Sequence, residues 1–230
     1  MLIKWGSIVV NGSGKLGGHV FSKGAGGSSL HTLGRAKNPQ TKYQMSIRSR
    51  FTSLSQGWRS LTRIERETWY SAESEFSRNN RFGDVILLSG KNLYNSLNYQ
   101  RLVIGLGILN SAPLPSRIPK CVVKYVNFLM LPRTLFIQGE FDDGETYVIV
   151  ATPSMSRGVR SYFDEVRIIG TGIAIGGGSQ IGLNSTNWTK YEARFGPVQR
   201  DTGIYVGAYA VSESGQKGTE SLFFARFNGQ

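Results

Sequence analysis

Apolar and polar positions fall into three different patterns along the chain. Over residues 1–37 the apolar residues come in short groups: Ile8-Val9-Val10, His19-Val20-Phe21 and Leu30-His31-Thr32-Leu33. Gly and Ser separate them. The run SKGAGGSSLHTLGRAK holds too little apolar surface to build a core alone. Gly24 to Gly27 can turn a hairpin between the two later groups. This section is expected to be an extended arm or a loose hairpin that gains order against a neighbour.

From residue 38 the period becomes helical. Asn38 suits an N-cap and Pro39 a first helical position. Tyr43, Ile47, Phe51, Leu54, Trp58 and Leu61 then recur at spacings of 4, 4, 3, 4 and 3. That is one apolar helix face, with Phe51, Trp58 and later Trp69 expected in a helical core. The opposite face carries Lys42, Arg48 and Arg59 among Ser and Gln. Thr62-Arg63-Ile64-Glu65 is a capping box, in which Thr62 and Glu65 satisfy each other's free backbone N–H groups. It predicts a second helix with Ile64, Trp69, Ala72 and Phe76, ending near Arg78-Asn79-Asn80. A third is expected after Ser89-Gly90, with Leu93, Leu97, Gln100 and Ile104, stopped by Gly105 and Gly107.

Residues 111–119, SAPLPSRIP, hold three of the seven prolines and read as an extended linker. Over 120–230 short runs rich in Val, Ile, Tyr and Phe alternate with turn residues. These runs are CVVKYVNFLML, TLFIQGEF, TYVIVATP, EVRIIGTGIA, WTKYEARF, GIYVGAYAVS and SLFFARF. No helix signal interrupts them. The fold class is therefore α+β: a Gly-rich arm (1–37), a small helical domain (38–110), a linker (111–119) and a C-terminal antiparallel β-sandwich (120–230). Immunoglobulin or fibronectin type is expected for the sandwich, without the Cys…Trp…Cys pattern of antibody domains. A small barrel is the alternative.

Charge sharpens this picture. The net charge is +12, and no Asp or Glu precedes Glu65. Ten cations lie in residues 1–64: Lys4, Lys15, Lys23, Arg35, Lys37, Lys42, Arg48, Arg50, Arg59 and Arg63. The remaining 17 cations and 15 anions leave only +2 for the rest of the chain. Such asymmetry points to an anionic partner, either nucleic acid or an acidic protein surface.

The remaining chemistry is sparse. Gly12, Gly14 and Gly17 fit a G-x-G-x-x-G spacing, but no helix opens after them and no acid stands about 20 residues on, as a dinucleotide site requires. Leu16 follows Gly14-Lys15 where a P-loop needs Ser or Thr. The glycines are read instead as positions of positive φ or of close backbone approach. His19 and His31 can face each other across two strands, and two His without nearby acids make a poor metal site. Asp142, Asp143 and Glu145 read as a turn, and Asp164-Glu165 as a strand start. The single Cys, Cys121, excludes an intramolecular disulfide and reads as a core strand residue. No enzyme, metal or cofactor is expected. MLIKWGSIVVNGSGK lacks the apolar length of a signal peptide, and no run of 18 apolar residues predicts a membrane span.

The strings GKLGGHVFSKGAGG, NPQTKYQMSIRSRFTSLSQGWRSLTRIERETW and LSGKNLYNSLN resemble a recurrent pattern in structural proteins of tailed bacteriophages and prophages. That pattern runs G-K-x-G-G-x-V, then N-P-x-T-x-x-Q with R-x-x-F and W-R-x-L-T, then S-G-x-N-L-F and an Asn. The matching residues are Gly14, Lys15, Gly17, Gly18 and Val20; Asn38, Pro39, Thr41 and Gln44; Arg48, Phe51, Trp58, Arg59, Leu61, Thr62 and Trp69; and Ser89, Gly90, Asn92 and Leu93. Tyr94 stands where the pattern has Phe. The match covers residues 14 to 98. It implies assembly into the virion of a protein made in the bacterial host cytoplasm, without saying where; taken with the arm, the linker and the sandwich, a homo-oligomeric ring or collar at the neck or tail is expected. A capsid-associated auxiliary protein and a DNA-binding accessory protein are the alternatives. Portal, neck, tail or capsid proteins would be its partners, with non-specific contact to packaged DNA and no membrane. Lys15, Lys23, Arg35 and Lys37 with Gly14, Gly17 and Gly18 are the expected assembly residues.

Overall fold

Alternation, helical period and capping chemistry each leave a visible element. The structure, a computed structural model, describes residues 2–3, 12–24, 27–34, 38–80, 82–129, 134–155, 165–183, 185–198 and 202–226. The chain divides into two units, one of residues 1–95 and 110–114, the other of residues 96–109 and 115–230.

The first unit begins with four short strands: β1 (Leu2–Ile3), β2 (Gly14–Leu16), β3 (His19–Gly24) and β4 (Gly27–Thr32). They form an antiparallel sheet in the order β1-β4-β3-β2. The hairpin expected around Gly24 to Gly27 is present, with Gly24 paired to Gly27. His19 pairs with Thr32 and Val20 with His31, so the two histidines are offset by one register position rather than opposite.

Helix α1 (Lys42–Ser60) starts later than Asn38 and Pro39 suggest. Gln40 has φ +50, which is not helical, so Pro39 cannot be the first helical residue. Thr41 is the N-cap instead: its Oγ1 accepts from the Gln44 N–H at 3.2 Å, and Gln44 Oε1 accepts from the Thr41 N–H at 3.3 Å. Helix α2 (Arg63–Ser71) follows with the expected box: the Glu65 carboxylate accepts from the Thr62 N–H at 2.7 Å. That hydrogen bond holds the Glu65 carboxyl below the usual range. α2 ends well before Arg78, because the chain turns after its C-cap Ala72, and Arg78–Asn79 form strand β5 against β6 (Val85–Ile86). Phe76 still reaches the core from those turns.

Helix α3 (Gly90–Val103) comes next, and the division between the units falls within it, after Asn95. Trp58, Trp69 and Tyr94 are the aromatic centre of the first unit, with ring centroids 5.3 Å (Trp58–Tyr94) and 5.2 Å (Trp69–Tyr94) apart. Trp69 Nε1 donates to the Asn110 carbonyl at 2.6 Å, and the Ala112 N–H to Thr68 Oγ1 at 3.0 Å.

The second unit is built on β7 (Cys121–Leu129), β8 (Thr134–Phe141), β9 (Thr146–Ala151), β10 (Arg167–Ile175), β11 (Gln180–Leu183), β12 (Gly203–Ala210) and β13 (Ser221–Arg226). All are antiparallel, in the order β13-β12-β9-β10-β11-β8-β7. β10 is shared: Arg167–Ile173 pair with β9, and Ala174–Ile175 with β11. The sheet thus has two halves, and its edges approach each other. The Val123 N–H of β7 donates to Ser221 Oγ of β13 at 2.9 Å, and Tyr125 packs edge-on to Phe223 at 5.9 Å. The sequence and structure share a mixed α+β fold with a large antiparallel β part, which the structure builds as one seven-stranded, nearly closed sheet.

Alternation explains why β9 and β12 are apolar throughout. Tyr147, Ile149 and Ala151 of β9 join one core with Ile204, Val206 and Ala208 of β12. Val148 and Val150 join Tyr209 and Val211 on the other face, covered by Val103 and Ile104 at the end of α3. Both faces are buried, so the strands carry no polar face.

One of the seven expected strands is overturned. WTKYEARF is not a strand: it lies in helix α4 (Ser185–Phe195). Trp188, Tyr191 and Phe195 recur at helical spacing, and Trp188 and Tyr191 are buried in the sheet core, their rings stacked at 5.0 Å.

Candidate assembly surface

Of the residues expected to carry assembly, Gly14, Lys15, Gly17, Gly18 and Lys23 lie on the four-stranded sheet or in its β2–β3 turn. Leu16 pairs with His19, so Gly17 and Gly18 form a two-residue turn between β2 and β3. Gly17 has φ +56 and Gly14 has φ +117, conformations that only Gly adopts at little strain. That is why the glycine spacing of a nucleotide loop occurs here without a helix behind it. Gly18 and Gly24 have neither positive φ nor any atom within 4 Å of where a Cβ would stand. Nothing among the described residues requires glycine at either position.

Lys15 pairs directly with Val20, and Lys23 with Ser28. Val20 and Lys23 are three residues apart on one strand, so strand alternation puts Lys15 and Lys23 on opposite faces of the sheet. Both are exposed, and they do not form one patch. Arg35 and Lys37 lie outside the described residues.

The sheet carries little core. None of the described residues in 12–34 is buried, and Leu16 is 71% exposed. The half-buried side chains in the β3–β4 hairpin are Val20, Phe21, Ser22, Ser28, Ser29 and Leu30, with Ser22 and Ser29 sharing a hydrogen bond of 2.7 Å across it.

The core covers only part of the apolar stripe on α1. Leu54 is fully buried and Trp58 nearly so, but Phe51 is 43% exposed, against the expectation that it lies in the core. Lys42, Arg48, Arg50 and Arg59 are exposed along the same helix.

In the second unit a cleft of about 490 Å³ is lined by Ser116, Arg117, Pro119, Phe141, Asp142, Asp143, Glu145 and Glu213. Its aspartates serve the fold. Asp142 accepts from Arg117 at 3.1 Å and from the Lys120 N–H at 3.0 Å, and Asp143 accepts from the Gly178 N–H at 3.2 Å. Beyond the cleft Glu140 sits between Lys120 and Lys124, which hold its carboxyl down at about 2. Among the described residues no three His, Cys, Asp or Glu side chains are grouped to hold a metal, and no helix is long and apolar enough to cross a membrane.

Compared with known proteins, the chain matches no family, no curated protein and no solved structure.

Proposed function

We propose that the protein is a non-enzymatic structural subunit of a tailed-phage particle, forming a homo-oligomeric ring or collar at the neck or tail through its arm sheet and helical unit. The observation that carries the reading is that the sheet's described residues include no buried side chain. None of the described residues in 12–34 is buried, while Leu16 stands in solvent. A four-stranded sheet needs apolar burial to be stable, and a neighbouring subunit supplies it. Gly18 and Gly24 suit this role, because a bare Cα facing open space lets a second backbone come close. The ordered resemblance over residues 14 to 98 supports the same reading.

In this reading the second unit is the immunoglobulin- or fibronectin-type module of the subunit. Short antiparallel strands joined by tight glycine turns support that assignment; the shared strand β10 and helix α4 depart from it.

Assembly is tested on the purified chain by sedimentation and negative-stain microscopy, with and without residues 1–34. Closed rings that disappear with the arm are expected. A monomer at every concentration, unchanged by removal of the arm, would overturn the arm's role.

A further inference from the structure

We propose that the exposed face of α1 binds the phosphate backbone of double-stranded DNA without reading bases. The helix carries Lys42, Arg48, Arg50 and Arg59, all exposed, and no acidic residue. Among the described residues none of the four pairs with a carboxylate; Arg48 donates to the neutral Oδ1 of Asn38 at 2.8 Å. Between the cations stand Ser49, Thr52, Ser53 and Gln56, also exposed. Arg and Lys interspersed with neutral hydroxyl and amide donors is the composition that contacts phosphate oxygens.

The helix start adds to this. A first helical turn ordinarily attracts acids, because the positive end of the macrodipole lies there. α2 follows the rule with Glu65. α1 has Lys42 and no acid in that turn, so cation and dipole repel each other until an external anion arrives.

The spacing favours a duplex over an acidic protein. At 1.5 Å per residue, Lys42 and Arg59 are about 26 Å apart along the axis. A duplex of that length carries about 15 phosphates, several times the number of cations on the helix, so the outer-face cations meet phosphates without a fixed register. At about 100° per residue Lys42, Arg48 and Arg59 lie on the face opposite the apolar stripe, and Arg50 lies beside the stripe. An acidic protein would have to match each separated cation with its own carboxylate. No base-reading motif accompanies the cations, so binding is to the backbone alone.

Binding is measured with the full chain and two fluorescent duplexes of unrelated sequence, across a salt series. Equal affinity for both duplexes is expected, falling steeply with salt. The Arg48→Gln, Arg59→Gln double variant should reduce the slope of log K against log salt by roughly two, about 0.9 for each phosphate no longer neutralised. Lys91→Gln with Lys190→Gln, on α3 and α4, should leave that slope unchanged. All four positions are exposed, and an unchanged circular dichroism spectrum confirms that the fold is kept. The proposal fails if the chain does not bind DNA at low salt, or if the α1 variant leaves the slope unchanged. It also fails if polyglutamate binds as tightly as the duplex at matched charge, which would assign the face to an acidic protein. Ring assembly and particle content are separate measurements, so this proposal and the structural role can fail independently.

Discussion

Gly57 lies inside α1, and a Cβ built on it would stand 2.6 Å from the Tyr94 hydroxyl oxygen and 3.8 Å from its Cζ. Tyr94 is fully buried between Trp58 and Trp69, and its hydroxyl has no hydrogen-bond partner among the described residues. Burial pushes the pKa of that hydroxyl up. Three substitutions separate these effects. Gly57→Ala gains about 1 kcal/mol of helix propensity. It also drives a methyl group against the hydroxyl of a fully buried side chain, an overpacking cost of about 1–3 kcal/mol. A net loss of about 1 kcal/mol is expected from those two effects. Tyr94→Phe removes an unsatisfied buried hydroxyl and should raise stability by about 1 kcal/mol. In the double variant the nearest ring atom lies 3.8 Å from the new methyl, an ordinary van der Waals separation. The clash is gone and the helix gain remains, so the double variant should exceed the parent by about 2 kcal/mol, with a coupling of similar size. Urea unfolding followed by tryptophan fluorescence and far-ultraviolet circular dichroism measures all four proteins. If Gly57→Ala alone is as stable as the parent, or the two changes simply add, the packing argument is refuted.

Four further outcomes are expected. Burial raises the Cys121 thiol from 9.0 to about 12, so the folded chain keeps a proton that the unfolded chain loses; stability is full below pH 9 and falls between 9 and 12. Cys121→Ala should flatten that fall by up to about 1.4 kcal/mol per pH unit, read from urea midpoints on either side of pH 9. Asn98 is fully buried and bonds both the N–H and the carbonyl of Leu109, at 2.7 and 3.2 Å; Asn98→Ala should destabilise by roughly 1–3 kcal/mol in thermal melts. Gly215 has φ +90 and a Cβ there would meet the Leu97 carbonyl oxygen, so Gly215→Ala should cost roughly 1–3 kcal/mol in the same assay. Trp58→Ala should destabilise by about 3–5 kcal/mol in urea unfolding, since Trp58 is 8% exposed.

Local chemistry is legible in the sequence where it acts over a few residues. The Thr62–Glu65 box, the glycine turn between β3 and β4 and the apolar runs of β7, β8, β9, β10, β12 and β13 can all be read directly. Helix α4 is not legible, because Trp188, Thr189, Tyr191 and Phe195 have strand propensity while their burial follows a helical period that only the sheet core selects. β11 escapes the pattern because its four residues, between the Gly176–Gly178 turn and α4, hold too little of it. The α1 stripe points toward the core without marking its extent, so Phe51 lies shallower than its spacing suggests. At the candidate surface, Lys15 and Lys23 look like neighbours in one basic arm. Their faces depend on strand register, which the spacing of the lysines does not encode.

The most direct test of the structural role is the copy number of the protein in purified phage particles from its source, by quantitative mass spectrometry against the major capsid protein. The account predicts about a dozen copies, as a closed ring at the neck or tail requires. Hundreds of copies would move the protein to the capsid surface. Complete absence from particles would contradict the central claim.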